Sequence, residues 1–227
     1  MSPGPYPPIE PPPLQVTFPE PPPGQDVVAV SRSMSPALVL AAYREGIFPW
    51  PVRQGVVPWA SPDPRAVFPL QPARPWPRTV RRAIAAGFTV TFDRAFERVL
   101  LECGDRGGEG TWITPDVVDT YGALHRMGWA HSVEVWRGGA LAGGLYGLAV
   151  GSLFAGESMF HRETGASKVA FAAAADRLRA RGFELFDVQV LTDHLASLGC
   201  VAIPRAGYRA LARAAVQRPA RFGDPEP

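Results

Sequence analysis

Residues 143–168, GGLYGLAVGSLFAGESMFHRETGASK, decide the fold, and FDVQ follows one helix later at residues 186–189. The stretch carries no charge before Glu157, and its glycines alternate with aromatic and aliphatic residues. Glycine in a strand-like sequence allows another group to approach the backbone closely. The lone acid, together with Asp187 and Gln189 beyond it, is typical of a site rather than a core. We therefore expect an enzyme with an apolar pocket and few polar groups.

Turn signals divide the rest of the C-terminal half into strands and helices. Residues 131–137, 140–149 and 152–160 predict three strands, because apolar positions alternate or lie between glycine turns. A helix over 167–182, a strand over 184–190 and a short helix over 194–199 follow. This order predicts an α+β fold with helices packed against a sheet, which is also the layout of the GNAT acyltransferase core.

The N-terminal half divides into an arm and a small domain. Residues 1–26 hold eleven of the 26 prolines, which predicts a disordered, proline-rich extension. Residues 27–70 form the predicted N-terminal domain, with a helix that begins at the Ser35 cap and stops at Gly46. Its residues 48–70 are rich in proline and tryptophan and are predicted to be irregular. Residues 71–216 form the predicted catalytic domain, and 217–227 a tail.

Composition excludes several classes of protein. Two cysteines and four histidines without ligand spacing predict a reduced protein that binds no metal. No secretory signal is visible. The uncharged run 138–156 has the length of a membrane span, but its seven glycines favour buried strands. We expect a cytoplasmic monomer without a membrane segment.

Nine stretches then resemble one family, the leucyl/phenylalanyl-tRNA–protein transferases of bacteria. They occur in the family's order and cover roughly residues 35–210. The stretches are AAYREGIFPW (41–50), SPDPRAVF (61–68), GTWIT (110–114), LHRMGWAHSVEVW (124–136), GGLYGLAVGSLFAGESMF (143–160), ASK (166–168), DVQV (187–190), HLASLG (194–199) and IPR (203–205).

The chain departs from the family's pattern at a few positions. Ala60 stands where the family has a second tryptophan, which puts an aromatic contact with the tRNA end in doubt. His161 replaces a serine, and Val188 replaces a cysteine, so a thiol at position 188 is not needed for the chemistry. The family's glycine-rich lead-in before the first helix is replaced by AVSRSMS (29–35).

The resemblance implies transfer of leucine, phenylalanine or sometimes methionine from aminoacyl-tRNA to an N-terminal Arg or Lys of a protein. The product is a substrate of the N-degron pathway. The implied fold is a small N-terminal domain followed in the chain by a GNAT-like domain. Because the ester is already activated, positioning, proton removal and oxyanion support suffice, and no metal or cofactor is required.

The catalytic residues that we expect are Asp187, Gln189 and Glu157. Asp187 and Gln189 are two apart on a predicted strand, so both side chains point to the same face. There they could orient the amine and accept its proton, directly or through water. The alternative is a hydrogen-bonded pair at a sheet end. Glu157 either pairs with an arginine or contacts the substrate amine, and we favour the substrate.

Two further groups of residues are expected to bind substrate. Leu145, Phe154, Met159 and Phe171 have the spacing of an apolar pocket, with ordinary core packing as the alternative. Trp50 and Trp112 are expected to stack on the terminal adenosine of tRNA, and the alternative is again core packing. Four arginines on and before one predicted helix are expected to contact tRNA phosphates: Arg74, Arg78, Arg81 and Arg82. A helix face exposed to solvent would explain these arginines equally well.

Two other functions compete with this one. An acyl-CoA-dependent N-acetyltransferase would use residues 162–167 as a pyrophosphate loop, although Ser167 breaks that pattern. A non-catalytic protein that binds tRNA or N-degrons is the third interpretation, and the joint presence of Glu157, Asp187 and Gln189 argues against it.

Overall fold

The computed structural model describes residues 4–50, 55–105, 111 and 113–224. It confirms the α+β class. In chain order the elements are β1 (Val27–Ser31), α1 (Pro36–Arg44), β2 (Phe48–Pro49), β3 (Val57–Ala60), β4 (Arg65–Phe68), α2 (Arg78–Ile84), β5 (Thr89–Phe92), α3 (Phe96–Gly104), α4 (Pro115–Arg126), β6 (Ala130–Arg137), β7 (Ala140–Val150), β8 (Leu153–His161), α5 (Ala166–Ala180), β9 (Leu185–Gln189), α6 (Asp193–Leu198), β10 (Val201–Ile203) and α7 (Arg205–Ala215).

Two sheets organise the described chain. A small antiparallel sheet has the strand order β1-β3-β2, and a large one has the order β10-β4-β9-β8-β7-β6-β5. Neighbouring strands of the large sheet run antiparallel, except that β8 and β9 are parallel. A parallel pair needs a long crossover connection, and α5 provides it.

Strand β7 lies in the middle of the molecule and is buried on both faces. Leu145 belongs to the core on the α2 and α5 face, whereas the neighbouring Tyr146 belongs to the core with α1, α3 and α4. Alternate residues of a strand point to opposite faces, so a strand covered on both sides is apolar at nearly every position. This explains the uncharged sequence of residues 140–150.

The glycines of β7 permit close approach by the protein's own chain. A Cβ atom at Gly147 would lie 2.3 Å from the carbonyl oxygen of Ala155, and one at Gly143 would lie 2.6 Å from the Cβ of Ala166. Neither glycine faces a space for a ligand. The glycine pattern therefore reports tight packing of β8 and α5 on β7, rather than the approach of a substrate.

The N-terminal third contains more regular structure than the sequence predicted. Residues 48–70 include three strands, β2, β3 and β4, and β1 precedes them. These strands have two to five residues, and β2 and β3 each contain a proline, so they show too little alternation to be recognised. Strand β4 pairs with β9 and β10 in the large sheet, although the predicted division assigned it to the N-terminal domain.

The proline-rich arm lies against the body of the protein, where disorder was predicted. Residues 4–26 contain no helix or strand, but the Trp129 indole donates to the Ile9 carbonyl at 2.7 Å, and Phe18 packs on Trp59. Farther along the arm, the Arg205 guanidinium donates to the Gln25 carbonyl at 2.8 Å. A proline-rich segment forms no hydrogen bonds within its own backbone, so its carbonyl groups can accept hydrogen bonds from side chains of the rest of the protein.

Within the part of the chain that the structure describes, no helix combines the length and the apolar character needed to cross a bilayer.

Candidate active site

A cavity opens where the parallel strands β8 and β9 separate. The two strands pair only as far as Ala155 and Asp187, and β8 then continues to His161 paired with β7 alone. The space between them has a volume of about 260 Å³. Its wall consists of apolar side chains and a few polar ones: Leu145, Gly156, Glu157, Ser158, Met159, Phe171, Phe186, Val188, Gln189, Thr192 and Leu195.

Three of the four predicted pocket residues line this cavity. Leu145 on β7 lies opposite Met159 on β8, and Phe171 of α5 faces the same space. Phe154 does not line the cavity, so the structure does not bring it together with the other three predicted pocket residues. It is fully buried beside Phe186, its partner on β9, where the two strands are still paired. Sequence alone did not indicate the point at which this pairing ends.

Strand β9 ends in a tight turn centred on Gln189. Gln189 has a φ of 65°, and the Val190 amide donates to the Val188 carbonyl at 2.8 Å. A hydrogen bond across a residue of positive φ defines a γ-turn of the rare, strained kind. The Asp187 carboxylate stabilises this strained turn, because it accepts a hydrogen bond from the Gln189 backbone amide at 2.9 Å.

The γ-turn directs the Gln189 amide into the cavity wall. Its Nε2 donates to Glu157 Oε2 and to the Tyr43 hydroxyl oxygen, in both cases at 3.3 Å. The Tyr43 hydroxyl in turn donates to Glu157 Oε1. Tyr43, Glu157 and Gln189 thus form one hydrogen-bonded group at the cavity.

Glu157 is half-buried, with most of its carboxylate surrounded by protein. Burial raises the pKa of Glu157 to about 7, although hydrogen bonds from Tyr43 and Gln189 act in the opposite direction. The group can therefore accept or release a proton near neutral pH. Burial and the charge on Glu157 raise the pKa of Tyr43 and of the neighbouring Tyr121 well above 10.0, so both phenols remain protonated.

Asp187 faces away from the cavity, which corrects the expectation that it shares a face with Gln189. Its side chain is fully buried and accepts four hydrogen bonds. Arg65 donates to both oxygens at 2.8 and 2.6 Å, and the Tyr208 hydroxyl donates to Oδ2 at 2.8 Å. The fourth donor is the Gln189 backbone amide. With these lone pairs occupied and no cavity surface, Asp187 is not positioned to take a proton from a substrate.

The described residues that are expected to contact tRNA lie outside the cavity wall. Trp50 is half-buried and packs on Phe48 at 5.5 Å between ring centroids, outside the cavity wall. Trp112 lies outside the described residues. The four arginines are all exposed on α2 or just before it, and α2 packs against α5. They are Arg74, Arg78, Arg81 and Arg82.

The positions that depart from the family's pattern have distinct surroundings. Ala60 is fully buried in β3, opposite Phe48. Val188 contributes an apolar side chain to the cavity wall, and His161 is exposed at the end of β8. Four residues around the site were not predicted from the sequence: Tyr43, Tyr121, Arg65 and Tyr208. The first and third fall within stretches that resemble the family, which was the available signal.

A second cavity, of about 190 Å³, lies between the arm and the C-terminal tail. Its described wall contains Pro5, Trp129 and Phe222 but no carboxylate. The His131 ring at its edge stacks on Phe222, and its Nδ1 donates to the buried Asp93 at 2.9 Å. This cavity lacks the acid and amide pair of the first.

Comparison with known proteins gives a consistent result. The sequence model described as leucyl/phenylalanyl-tRNA protein transferase matches residues 67–213, and that of its N-terminal domain matches residues 32–63. The chain belongs to the leucyl/phenylalanyl-tRNA–protein transferase family. It is therefore an aminoacyltransferase, a class whose name implies aminoacyl-tRNA and protein as substrates.

Relatives of that name cover nearly the whole chain. The transferase of Anaeromyxobacter sp. (strain K) is 46% identical in a 220-residue alignment that covers 93% of this chain and 93% of the relative. That of Stutzerimonas stutzeri is 48% identical over 87% of each. A solved C-terminal DUF2156 domain from Agrobacterium fabrum covers 74% of this chain and 56% of its own at 13% identity, and its TM-score of 0.44 is too low to assign the fold.

The loop that an acyl-CoA enzyme would use is occupied by other contacts in this transferase. The Arg162 guanidinium donates to Glu102 at 2.6 Å and to Asp105 at 2.5 Å. A pyrophosphate-binding arginine would have to break both ion pairs. The geometry thus agrees with the family in disfavouring an acyl-CoA substrate.

Proposed function

We propose that this transferase moves leucine or phenylalanine, and sometimes methionine, from aminoacyl-tRNA to the N-terminal Arg or Lys of proteins. The acceptor would thereby become a substrate for N-degron degradation. The observation that carries the proposal is the apolar cavity with Glu157 and Gln189 at its wall and Tyr43 hydrogen-bonded to both. An apolar side chain fits the cavity, and the polar group lies where the reacting atoms would be.

The cavity supports the choice of donor. Leu145, Met159 and Phe171 form apolar walls around about 260 Å³, and a methionine side chain adapts to unbranched side chains of different shape. Side chains that branch at Cβ would meet the wall close to the ester carbon. Discrimination by steric fit of this kind reaches about 10- to 200-fold for each methylene.

The reaction is an aminolysis of the ester. The α-amine, with a pKa near 8, is partly neutral at pH 7 and attacks the ester carbonyl carbon. The new C–N bond forms, the bond to the 3′ oxygen of the tRNA ribose breaks, and the amine loses a proton. Ionised Glu157 accepts that proton, and its pKa of about 7 allows the proton to pass on to the leaving oxygen.

Gln189 would orient the reacting groups, because its amide is held between Glu157 and Tyr43. Among the described residues of the wall, Glu157 is the only charged one, which favours a cationic amine. No step needs a metal or cofactor. The exposed arginines of α2 would contact tRNA phosphates, and Trp50 and Trp112 would stack on the terminal adenosine.

We further propose that the main domain is GNAT-like. Its mixed sheet contains one parallel strand pair, β8 and β9, and the cavity opens where these two strands separate. The protein would act as a monomer in the cytoplasm, where aminoacyl-tRNA is made.

The test is transfer of labelled leucine from leucyl-tRNA to a peptide that begins with Arg, with a peptide that begins with Gly as the control. Labelling of the Arg peptide alone is expected. Absence of labelling in both peptides, despite tight tRNA binding, would favour the non-catalytic interpretation. Labelling of the peptide by acetyl-CoA would favour the acetyltransferase.

A further inference from the structure

Arg65 lies directly behind the cavity wall and is held rigidly. It is fully buried on β4, and its guanidinium lies between the rings of Phe48 and Tyr208, each 4.4 Å from the ring centroid. Its Nη1 also donates to the Gly46 carbonyl at 3.3 Å. A guanidinium fixed by two aromatic faces presents its planar pair of donors in one direction only.

That direction is toward Asp187. Two parallel bonds from Arg65 fix both carboxylate oxygens, and the Tyr208 hydroxyl adds a third donor. The orientation leaves Oδ1 facing the backbone amide of Gln189 at 2.9 Å. Bidentate pairs add geometric specificity beyond the attraction of the charges.

The Gln189 amide needs this acceptor, because in the γ-turn its backbone is in a strained, left-handed conformation. Without the carboxylate, an inward-facing N–H would lose its partner and the turn would relax. The Gln189 side chain would then move away from Glu157 and Tyr43.

We propose that Arg65 and Tyr208 are positioning residues of the transferase, which act through Asp187 to hold Gln189 in the γ-turn that aims its amide at the reacting groups. Asp187 is then part of this support and not the acceptor of the substrate proton. The inference rests on the proposed aminolysis at Glu157.

The experiment measures kcat and KM of leucine transfer in Asp187→Asn, Asp187→Ala and Arg65→Lys. Asparagine keeps an oxygen for the Gln189 amide, whereas alanine does not, and lysine cannot make two parallel bonds. We expect Asp187→Asn to retain at least about a tenth of the wild-type kcat, while Asp187→Ala and Arg65→Lys lose about 100-fold. KM for aminoacyl-tRNA should stay the same, and the pH profile should keep its acid limb.

Asp93→Asn is the matched control, because it disrupts another buried pair of an acid and a basic side chain, Asp93 with His131, and should lower stability without lowering kcat. Tyr208→Phe removes one donor and keeps the ring over Arg65, so it tests the proposal even if Asp187→Asn fails to fold. A fall in kcat of about 3- to 10-fold is expected for it.

Three results would overturn the proposal. The first is a folded Asp187→Asn that is as inactive as Asp187→Ala and has lost its acid limb. The second is an Arg65→Lys that loses no more kcat than Asp93→Asn, and the third is an unchanged kcat in Tyr208→Phe. If the wild-type protein itself labels no peptide, the proposed function fails instead.

Discussion

Asp93 and Gln189 are the two non-glycine residues with positive φ in the described chain, and they serve different ends. In each case a buried acid, at the residue itself or two positions before it, bonds a basic side chain. At Asp93 the residue in the left-handed conformation is itself the acid, and it binds His131 Nδ1 and the Ser132 amide, both at 2.9 Å. At Gln189 the acid is its neighbour Asp187, so the side chain of Gln189 remains available to the cavity.

This difference distinguishes a turn whose own side chain is used to hold it from a turn whose side chain lies at the cavity. Aspartate adopts the left-handed conformation readily, since its short side chain bonds nearby backbone, whereas glutamine rarely does. The turn at Asp93 therefore costs little and directs its polar atoms inward. The turn at Gln189 is strained and needs external support from Asp187, and strain of this kind persists where a function depends on it.

The largest expected effect is that of Gln189→Ala, which removes the side chain that distinguishes the two turns. We expect kcat to fall by about 100-fold or more, because the reacting groups lose their orienting amide. Affinity for aminoacyl-tRNA should hardly change. Single-turnover kinetics and tRNA-binding titrations measure the two quantities, with the exposed glutamine variant Gln217→Ala as control. A parallel loss of affinity would show that Gln189 binds rather than orients.

A change in the cavity wall should have the next largest effect. Leu145→Phe enlarges a side chain that lies opposite Met159, so less space remains for the transferred residue. We expect kcat/KM for phenylalanyl-tRNA to fall about 10-fold relative to leucyl-tRNA. Leu145→Met conserves volume and is the control. If the ratio of kcat/KM for phenylalanyl-tRNA and leucyl-tRNA did not change, this cavity would not be the site that selects the donor.

Tyr43→Phe removes a hydrogen bond that lowers the pKa of Glu157. The pKa of Glu157 should therefore rise above about 7, and less of the carboxylate would be ionised at neutral pH. We expect transfer to slow about 10-fold at pH 7 and to recover toward the wild-type rate at pH 9. A rate deficit that is equal at both pH values would mean that Tyr43 acts in another way.

Asp93→Asn should have the smallest effect on rate. Burial opposes ionisation of Asp93, but the His131 charge and hydrogen bonds outweigh it and lower the pKa below its ordinary value of 3.8. Its contribution to stability is therefore present above pH 3.8 and is lost as the pH falls below it. We expect the variant to lose about 1–3 kcal/mol at pH 7 in denaturant unfolding, with unchanged kcat. A lower kcat in a variant that is as fully folded as the wild type would mean that the turn at Asp93 also affects the reaction.

The sequence predicted the elements that carry strong local patterns. Strands β7 and β8, helix α5 and the acid Glu157 follow from glycine spacing, apolar runs and an isolated charge. Gln189 was identified as well, although on a strand face that its γ-turn does not present. The short strands β1 to β4 gave no comparable pattern, because each is held by pairing with other strands, β1 to β3 with one another and β4 with the distant β9 and β10.

The partners of the site residues could not be predicted for a related reason. Arg65 lies 122 positions from Asp187, and Tyr43 lies 146 positions from Gln189. Contacts over such separations depend on the complete packing of the sheet, so the local sequence around Asp187 did not predict its burial against Arg65 and Tyr208.

The most direct test is the single-turnover rate of leucine transfer to an Arg-initiated peptide against pH, in the wild type and in Glu157→Gln. In the wild type both Glu157 and the amine must lose a proton, so the logarithm of the rate should rise below about pH 6 with a slope of about 2. In the folded variant the amine alone titrates, so the slope should be about 1, on a rate that is lower throughout. Equal slopes in the two proteins would contradict the assignment of Glu157 as the proton acceptor.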